Sequence, residues 1–177
     1  EKERPPFEVE QIEAQREVRF ADKKLSLIVD RVDLLENGDR LCIDYKTGKG
    51  MKASDLVKEP LEQAQLPLYA LTLQPTPQAV AYGVLNVAET HLNGLAADSA
   101  QSHAGLSNRK KPRGMQESWE KQTEVWNDQL QATLSDYLSG QAARTPLRAS
   151  VCQYCSARAI CRKDEQLVLP DAEGDHG

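Results

Sequence analysis

The sequence lacks a long hydrophobic run, a secretory signal and an internal repeat. No apolar segment approaches the roughly 20 residues that a membrane-spanning helix needs, so we expect no membrane span and, without an export signal, a cytoplasmic protein. Positive charge is not in surplus either. The formal net charge of -5 argues against a protein that simply coats DNA.

The composition suits one compact domain, because 177 residues with 40% hydrophobic content can bury a core without disulfide staples. The chain starts at Glu1 rather than Met, and we expect a C-terminal fragment of a larger protein. One local basic patch stands out at 109–113, with four cations in five residues. Such a run is typical of a solvated loop, and phosphate contact is the alternative.

Two segments predict a β-hairpin at the centre of a sheet. Residues 25–35 are rich in β-branched and aliphatic side chains, and 40–46 form a second such run. Asn37-Gly38 lies between them and is a strong hairpin turn signal. Residues 79–88 predict a third strand, while 7–20 fit strand segments only loosely.

Helical spacing of apolar residues covers 54–73, where Pro60 and Pro67 predict two shorter helices or a kink. A second helix is predicted over 116–138. The stretch 91–114 shows no clear periodicity and predicts a mobile loop.

Asp30, Asp44 and Lys46 are the candidate site on the hairpin. Asp44 and Lys46 project from one strand face, Tyr45 points the other way, and Asp30 stands on the partner strand. Two carboxylates and an ammonium together are costly unless something binds between them. Mg²⁺ needs only one or two protein carboxylates beside water and a substrate phosphate. Taken alone, however, Asp-X-Lys is a common exposed strand pattern.

Four segments carry a resemblance to a known family. They are Pro6-Phe7-x-Val9-x-x-x-Glu13, Val29-Asp30-Arg31-Val32-Asp33, Ile43-Asp44-Tyr45-Lys46-Thr47-Gly48 and Gln65-Leu66-Pro67-Leu68-Tyr69. In this order they resemble the RecB/AddB-type branch of the PD-(D/E)XK nuclease superfamily. The resemblance spans residues 5 to 161. It implies an α/β fold with a restriction-endonuclease-like core, a mixed central β-sheet flanked by helices.

The resemblance also implies roles for residues. Asp30 and Asp44 would ligate Mg²⁺ or Mn²⁺ with the Tyr45 carbonyl, and Lys46 would be catalytic. Gln65 and Tyr69 would contact DNA or support the site, and ordinary helix packing is the alternative. The chain departs from the family twice. Leu27 stands where a glycine is usual, and the His expected ahead of the first strand is absent, which predicts weak or no cutting by this fragment.

Cys152, Cys155 and Cys161 resemble the C-terminal part of the iron–sulfur staple of AddB-type nucleases. A [4Fe–4S] cluster usually needs four thiolates, so the resemblance implies a cluster in the full-length protein that this chain leaves incomplete. Cys42 is expected to be a core or site-wall residue. A zinc site, or three cysteines without metal, are the alternatives.

The resulting hypothesis is a metal-dependent DNA nuclease in repair or recombination, acting as an exonuclease on single-stranded DNA ends beside a helicase module in the same chain or complex. The alternative is a catalytically silent DNA-binding or structural module that supports a helicase. The predicted domains are a nuclease core over 1–147, a cysteine segment over 148–165 and a disordered tail over 166–177.

Overall fold

A computed structural model describes residues 4–47, 51–86, 90–108, 110–141, 143, 146 and 149–161. The chain divides into two compact units, Glu1–Ser135 and Asp136–Gly177. The predicted tail over 166–177 lies outside the described residues, and the predicted domain limits at 147 and 165 stay predictions. In the part of the chain that is described, no helix has the length and apolar character to cross a membrane.

The first unit is built on a five-stranded mixed sheet in the order β1-β2-β3-β4-β5. Its strands are β1 (Phe7–Phe20), β2 (Lys23–Leu35), β3 (Arg40–Lys46), β4 (Ala79–Leu85) and β5 (Thr90–Ala96). Only β3 and β4 run parallel; the other neighbours are antiparallel. The predicted hairpin is therefore β2–β3, and Gly38 takes φ +86° in its turn, a backbone conformation that glycine adopts without strain.

The segment between β3 and β4 forms two short helical elements, as the two prolines predict. A 3₁₀ turn covers Ala53–Val57, and the helix α1 covers Gln65–Thr72. Pro67 is the third residue of α1, where a missing backbone N–H costs no helical hydrogen bond. The helix α2 then runs over Trp119–Leu138, starting three residues later than predicted because the Ser118 hydroxyl accepts the Lys121 N–H.

Two apolar clusters cover the two faces of the sheet. The helical elements pack on one face, where Trp126 and Leu66 are fully buried against Val80 and Cys42. The connection between β5 and α2 covers the other face with Ala100 and Ala104. The indole N–H groups of Trp119 and Trp126 donate to the carbonyls of Pro77 and Leu56, which ties α2 to the layer beneath it.

The prediction of a mobile loop over 91–114 was wrong for its first part, which forms β5. The strand was hidden because Asn93 and Gly94 interrupt any apolar alternation. Gly94 is required by close packing, since a Cβ there would lie 2.0 Å from the Val80 carbonyl oxygen. Beyond β5, the Asn108 amide hydrogen-bonds both backbone groups of Gly94 and so continues the pairing with a side chain.

Candidate active site

Asp30 and Asp44 lie next to each other on adjacent strands. The β2–β3 register pairs Arg31 with Ile43, and one further step sets Asp30 opposite Asp44. Asp30 Oδ2 accepts a 2.8 Å hydrogen bond from the Tyr45 backbone N–H. Asp44 is buried, with 1% of its surface exposed.

Burial raises the pKa of Asp44, and the charge of Asp30 together with a hydrogen bond between the two carboxyl groups raises it further, while the Lys46 ammonium opposes the shift. A carboxylate that is both buried and beside a second acid is costly to ionise. A cation bound between the two carboxylates would offset this cost.

Lys46 brings a positive charge to the same face. Its Nζ lies 2.7 Å from Asp44 Oδ2 and donates to Gln65 Oε1 at 3.3 Å. This 2.7 Å contact is an ion pair with a largely buried carboxylate oxygen, which keeps a second lone pair as an acceptor. The ammonium therefore offsets part of the negative charge of the two acids.

Gln65 and Tyr69 connect Lys46 to the sheet. Both residues belong to α1 and are one turn apart. Gln65 Nε2 donates to the Tyr69 hydroxyl at 2.7 Å, and this hydroxyl donates to the Ile28 carbonyl at 2.5 Å. Through these hydrogen bonds, Gln65 and Tyr69 support the position of Lys46 beside the two acids.

Asp33, the second acid of the segment 29–33, lies elsewhere. It belongs to an ion-pair cluster with Arg31 and Arg4, with Nε–Oδ1 at 2.5 Å and Nη1–Oδ2 at 2.9 Å. Arg31 Nη1 also donates to the Tyr45 hydroxyl at 3.1 Å. Since Tyr45 and Lys46 point to opposite faces, this cluster supports the hairpin from behind and leaves Asp30 as the acid at the site.

The two acids fit a hard divalent ion. Asp44 is buried beside Asp30, carboxylate oxygens are the ligands that Mg²⁺ prefers, and Mg²⁺ requires no more than one or two of them from the protein. Within the described residues there is no group of three or more His, Cys, Asp or Glu side chains that could hold a metal. A metal site whose ligands all come from the protein would need such a group. The Tyr45 carbonyl stays a predicted ligand.

In the second unit, Cys152 lies in the 3₁₀ turn Ala149–Tyr154, Cys161 ends the helix α3 (Arg158–Cys161), and Cys155 lies between these two elements. Cys155 is exposed, and Cys152 and Cys161 are half-buried. The described residues do not gather these three into a metal site, and the iron–sulfur cluster stays a prediction. Cys42 is fully buried in the sheet, and burial raises its thiol pKa to about 12.

The basic patch at 109–113 is described from residue 110 onward. Lys111 pairs with Asp98 at 2.5 Å, and Lys110 is exposed. Phosphate contact by this patch stays a prediction.

Two residues at the site were missed by the sequence reasoning. Tyr82 pairs with Asp44 across β3 and β4, and Asn93 pairs with Tyr82 across β4 and β5. Tyr82 was recognised only as a strand residue, and Asn93 fell in the segment predicted to be a loop. The alternation of β4 places Tyr82 on a definite face, but only the parallel register between β3 and β4 sets it beside Asp44.

Comparison with known proteins identifies the class. The family model of the PD-(D/E)XK nuclease superfamily matches residues 1–162. This chain belongs to that superfamily, whose members usually use divalent metals. The predicted restriction-endonuclease-like α/β fold, a mixed sheet with flanking helices, is confirmed.

One solved structure, described as "Crystal structure of SSO0001", is 17% identical to this chain with a TM-score of 0.41. The match covers 90% of this chain, which spans 62% of the length of that one. A search of curated proteins gives no match to the chain.

Proposed function

We propose that this chain is a Mg²⁺- or Mn²⁺-dependent deoxyribonuclease domain of the RecB/AddB-type branch. Its substrate would be the phosphodiester backbone at DNA ends, single-stranded and cut exonucleolytically, in cytoplasmic repair or recombination beside a helicase module. The observation that carries the proposal is the meeting of Asp30, Asp44 and Lys46 on one sheet face, with Asp44 buried. A buried acid that lies beside a second carboxylate and an ammonium has little structural value unless it binds an ion.

Asp30 and Asp44 would hold the metal, which supplies a water of lowered pKa and neutralises phosphate charge when bound. Lys46 has 29% of its side chain exposed and can turn its ammonium to the phosphate, where it stabilises negative charge that develops during hydrolysis. Gln65 keeps that ammonium on the correct side, and Tyr69 fixes Gln65 by its bond to the Ile28 carbonyl. Positioning of this kind lowers the barrier by removing freedom from the reacting groups.

A nuclease assay on end-labelled single- and double-stranded DNA tests the proposal. The wild-type chain should cut with Mg²⁺ or Mn²⁺ and stop with chelator. Lys46→Ala should reduce the rate at least about 100-fold, because removal of one group that stabilises transition-state charge costs this much. Lys23→Ala, which removes an exposed lysine outside the basic patch, is the matched control for loss of one positive charge.

Equal rates for wild type and Lys46→Ala would contradict the proposal. A wild-type chain that binds DNA but cuts neither substrate with either metal would favour the catalytically silent module instead.

A further inference from the structure

A polar row crosses four strands of the sheet on the helix-covered face. The strand registers pair Asp44 with Tyr82 and Tyr82 with Asn93, and Asp30 stands beyond Asp44 on β2. The next row on the same face pairs Val32, Cys42, Val80 and Leu95, all of them buried. The ring of Tyr82 packs in the same core cluster as this apolar row, so its hydroxyl is the part of the side chain that calls for a separate explanation.

The Tyr82 hydroxyl is a polar atom of this row that lies inside the protein and has no hydrogen-bond partner among the described residues. The residue is 1% exposed, and its hydroxyl is a buried group without a hydrogen bond. Leaving such a group unpaired costs about 1–3 kcal/mol, a cost that a phenylalanine of the same shape would avoid. The hydroxyl therefore needs an acceptor.

The neighbours of Tyr82 narrow the choice of acceptor. Asp44 and Asp55 are the two charges that raise the pKa of Tyr82 beyond the effect of burial, and the hydroxyl stays protonated as a donor. Both oxygens of Asp55 are engaged, one with Lys58 Nζ at 2.9 Å and one with the Lys52 N–H at 2.9 Å. The Asn93 carbonyl oxygen accepts the Ala53 N–H at 2.6 Å.

Asp44 is the carboxylate that the β3–β4 register pairs with Tyr82, and its Oδ2, which has the Lys46 ammonium at 2.7 Å, can accept a further hydrogen bond. We propose that Tyr82 is a positioning residue of the metal site, whose hydroxyl donates through one water to the Asp44 carboxylate and holds it in its ligating orientation. This inference rests on the proposed function. A bridging water makes such a bond nearly as favourable as a direct one.

The arrangement also explains why the carboxylate stays oriented when Lys46 turns to the substrate. Lys46 Nζ lies 2.7 Å from Asp44 Oδ2 and would leave it in that step. The Tyr82 hydroxyl stays in place because its ring is fixed in β4 between β3 and β5. Partners that orient a ligand from outside the metal's own shell are typically worth 10- to 100-fold in metal affinity.

Tyr82→Phe tests the inference by calorimetric titration of Mn²⁺ into the whole chain, together with urea unfolding without metal. We expect the Mn²⁺ dissociation constant to rise at least about tenfold, while the metal-free stability stays equal or increases. Tyr137→Phe removes the hydroxyl of a tyrosine that is 77% exposed, and it should match wild type in both measurements.

Wild-type Mn²⁺ affinity in Tyr82→Phe would overturn the inference and leave the proposed function standing. So would a loss of metal-free stability that accounts for the whole loss of affinity, since the hydroxyl would then be structural. A wild-type chain that binds no Mn²⁺ would instead remove the proposed function, and the role of Tyr82 with it.

Discussion

At Asp44 a carboxylate lies inside the sheet, and the nearest charges are Asp30 and Lys46. The burial of this acid favours its protonated form, so the folded chain resists the charge that a metal requires. A divalent ion reverses the preference because it binds only the deprotonated ligand. Metal binding at this site should therefore release protons and weaken as the pH falls.

The metal-free protein should reveal the same preference through Asp44→Asn, which replaces the acid by a neutral group of equal size. The folded-state pKa of Asp44 is raised above 3.8, so its contribution to stability is full below that value and is lost as the pH rises through the raised pKa. Relative to wild type, the variant should gain unfolding free energy between about pH 4 and pH 7. Urea unfolding without metal at both pH values measures this gain.

Asp128→Asn, at an exposed position of α2, is the control and should show no such gain. A stability difference between wild type and Asp44→Asn that is constant with pH would refute the raised pKa. Saturating Mn²⁺ should then stabilise wild type and leave Asp44→Asn unchanged, since only a bound ion shifts the unfolding equilibrium.

The acidic residues of the site could be recognised from the sequence, because the alternation of side chains along a strand fixes the sheet face on which each residue lies. Asp44 and Lys46 had to share a face, and the Asn-Gly turn had to bring Asp30 near them. The sequence could not reveal that Asp33 belongs to an arginine cluster on the opposite face, nor that Tyr82 stands beside Asp44. Both facts depend on partners distant in sequence.

Among the elements, α1 has the most direct connection to the site. Its Gln65 contacts Lys46, and its Tyr69 contacts the Ile28 carbonyl of β2. The helix is therefore a brace between the strand that carries Lys46 and the strand that carries Asp30. The prolines between β3 and β4 predicted two short helical elements, and the structure has them. This could be predicted because proline restricts the backbone at its own position in the chain.

Tyr69→Phe should loosen this brace. The variant keeps the buried ring and removes a hydroxyl with two hydrogen bonds, so we expect a loss of about 1–2 kcal/mol in the free energy of unfolding. Urea unfolding of Tyr69→Phe measures this loss, with Tyr137→Phe as the control. Unchanged stability would mean that the Tyr69 hydroxyl does not hold α1 to β2.

The strand β5 shows where prediction by element failed. Strand propensity is carried by β-branched and aromatic residues, and Thr90–Ala96 contains only Thr90 of these types. Its position follows from pairing with β4 and from the space that Gly94 leaves at the Val80 carbonyl. Tertiary contacts specify such a strand, so it cannot be predicted from the pattern of residues within the segment itself.

For the whole molecule, the order of the motifs was more informative than any single one. The hairpin, the α1 segment and the third strand follow one another along the chain, and the family match over residues 1–162 includes all three. The cysteines belong to the second unit. Their predicted cluster needs a fourth thiolate, and the protonated, buried Cys42 thiol is unsuited to supply it.

In the proposed function, Asp30 and Asp44 share one divalent ion. Anomalous diffraction from crystals grown with Mn²⁺ tests this directly, with Asp44→Asn crystals as the reference. We expect a single manganese peak about 2.1 Å from a carboxylate oxygen of each aspartate, absent in Asp44→Asn. A wild-type structure saturated with Mn²⁺ that shows no peak between these two residues, or a peak that persists in Asp44→Asn, would contradict it.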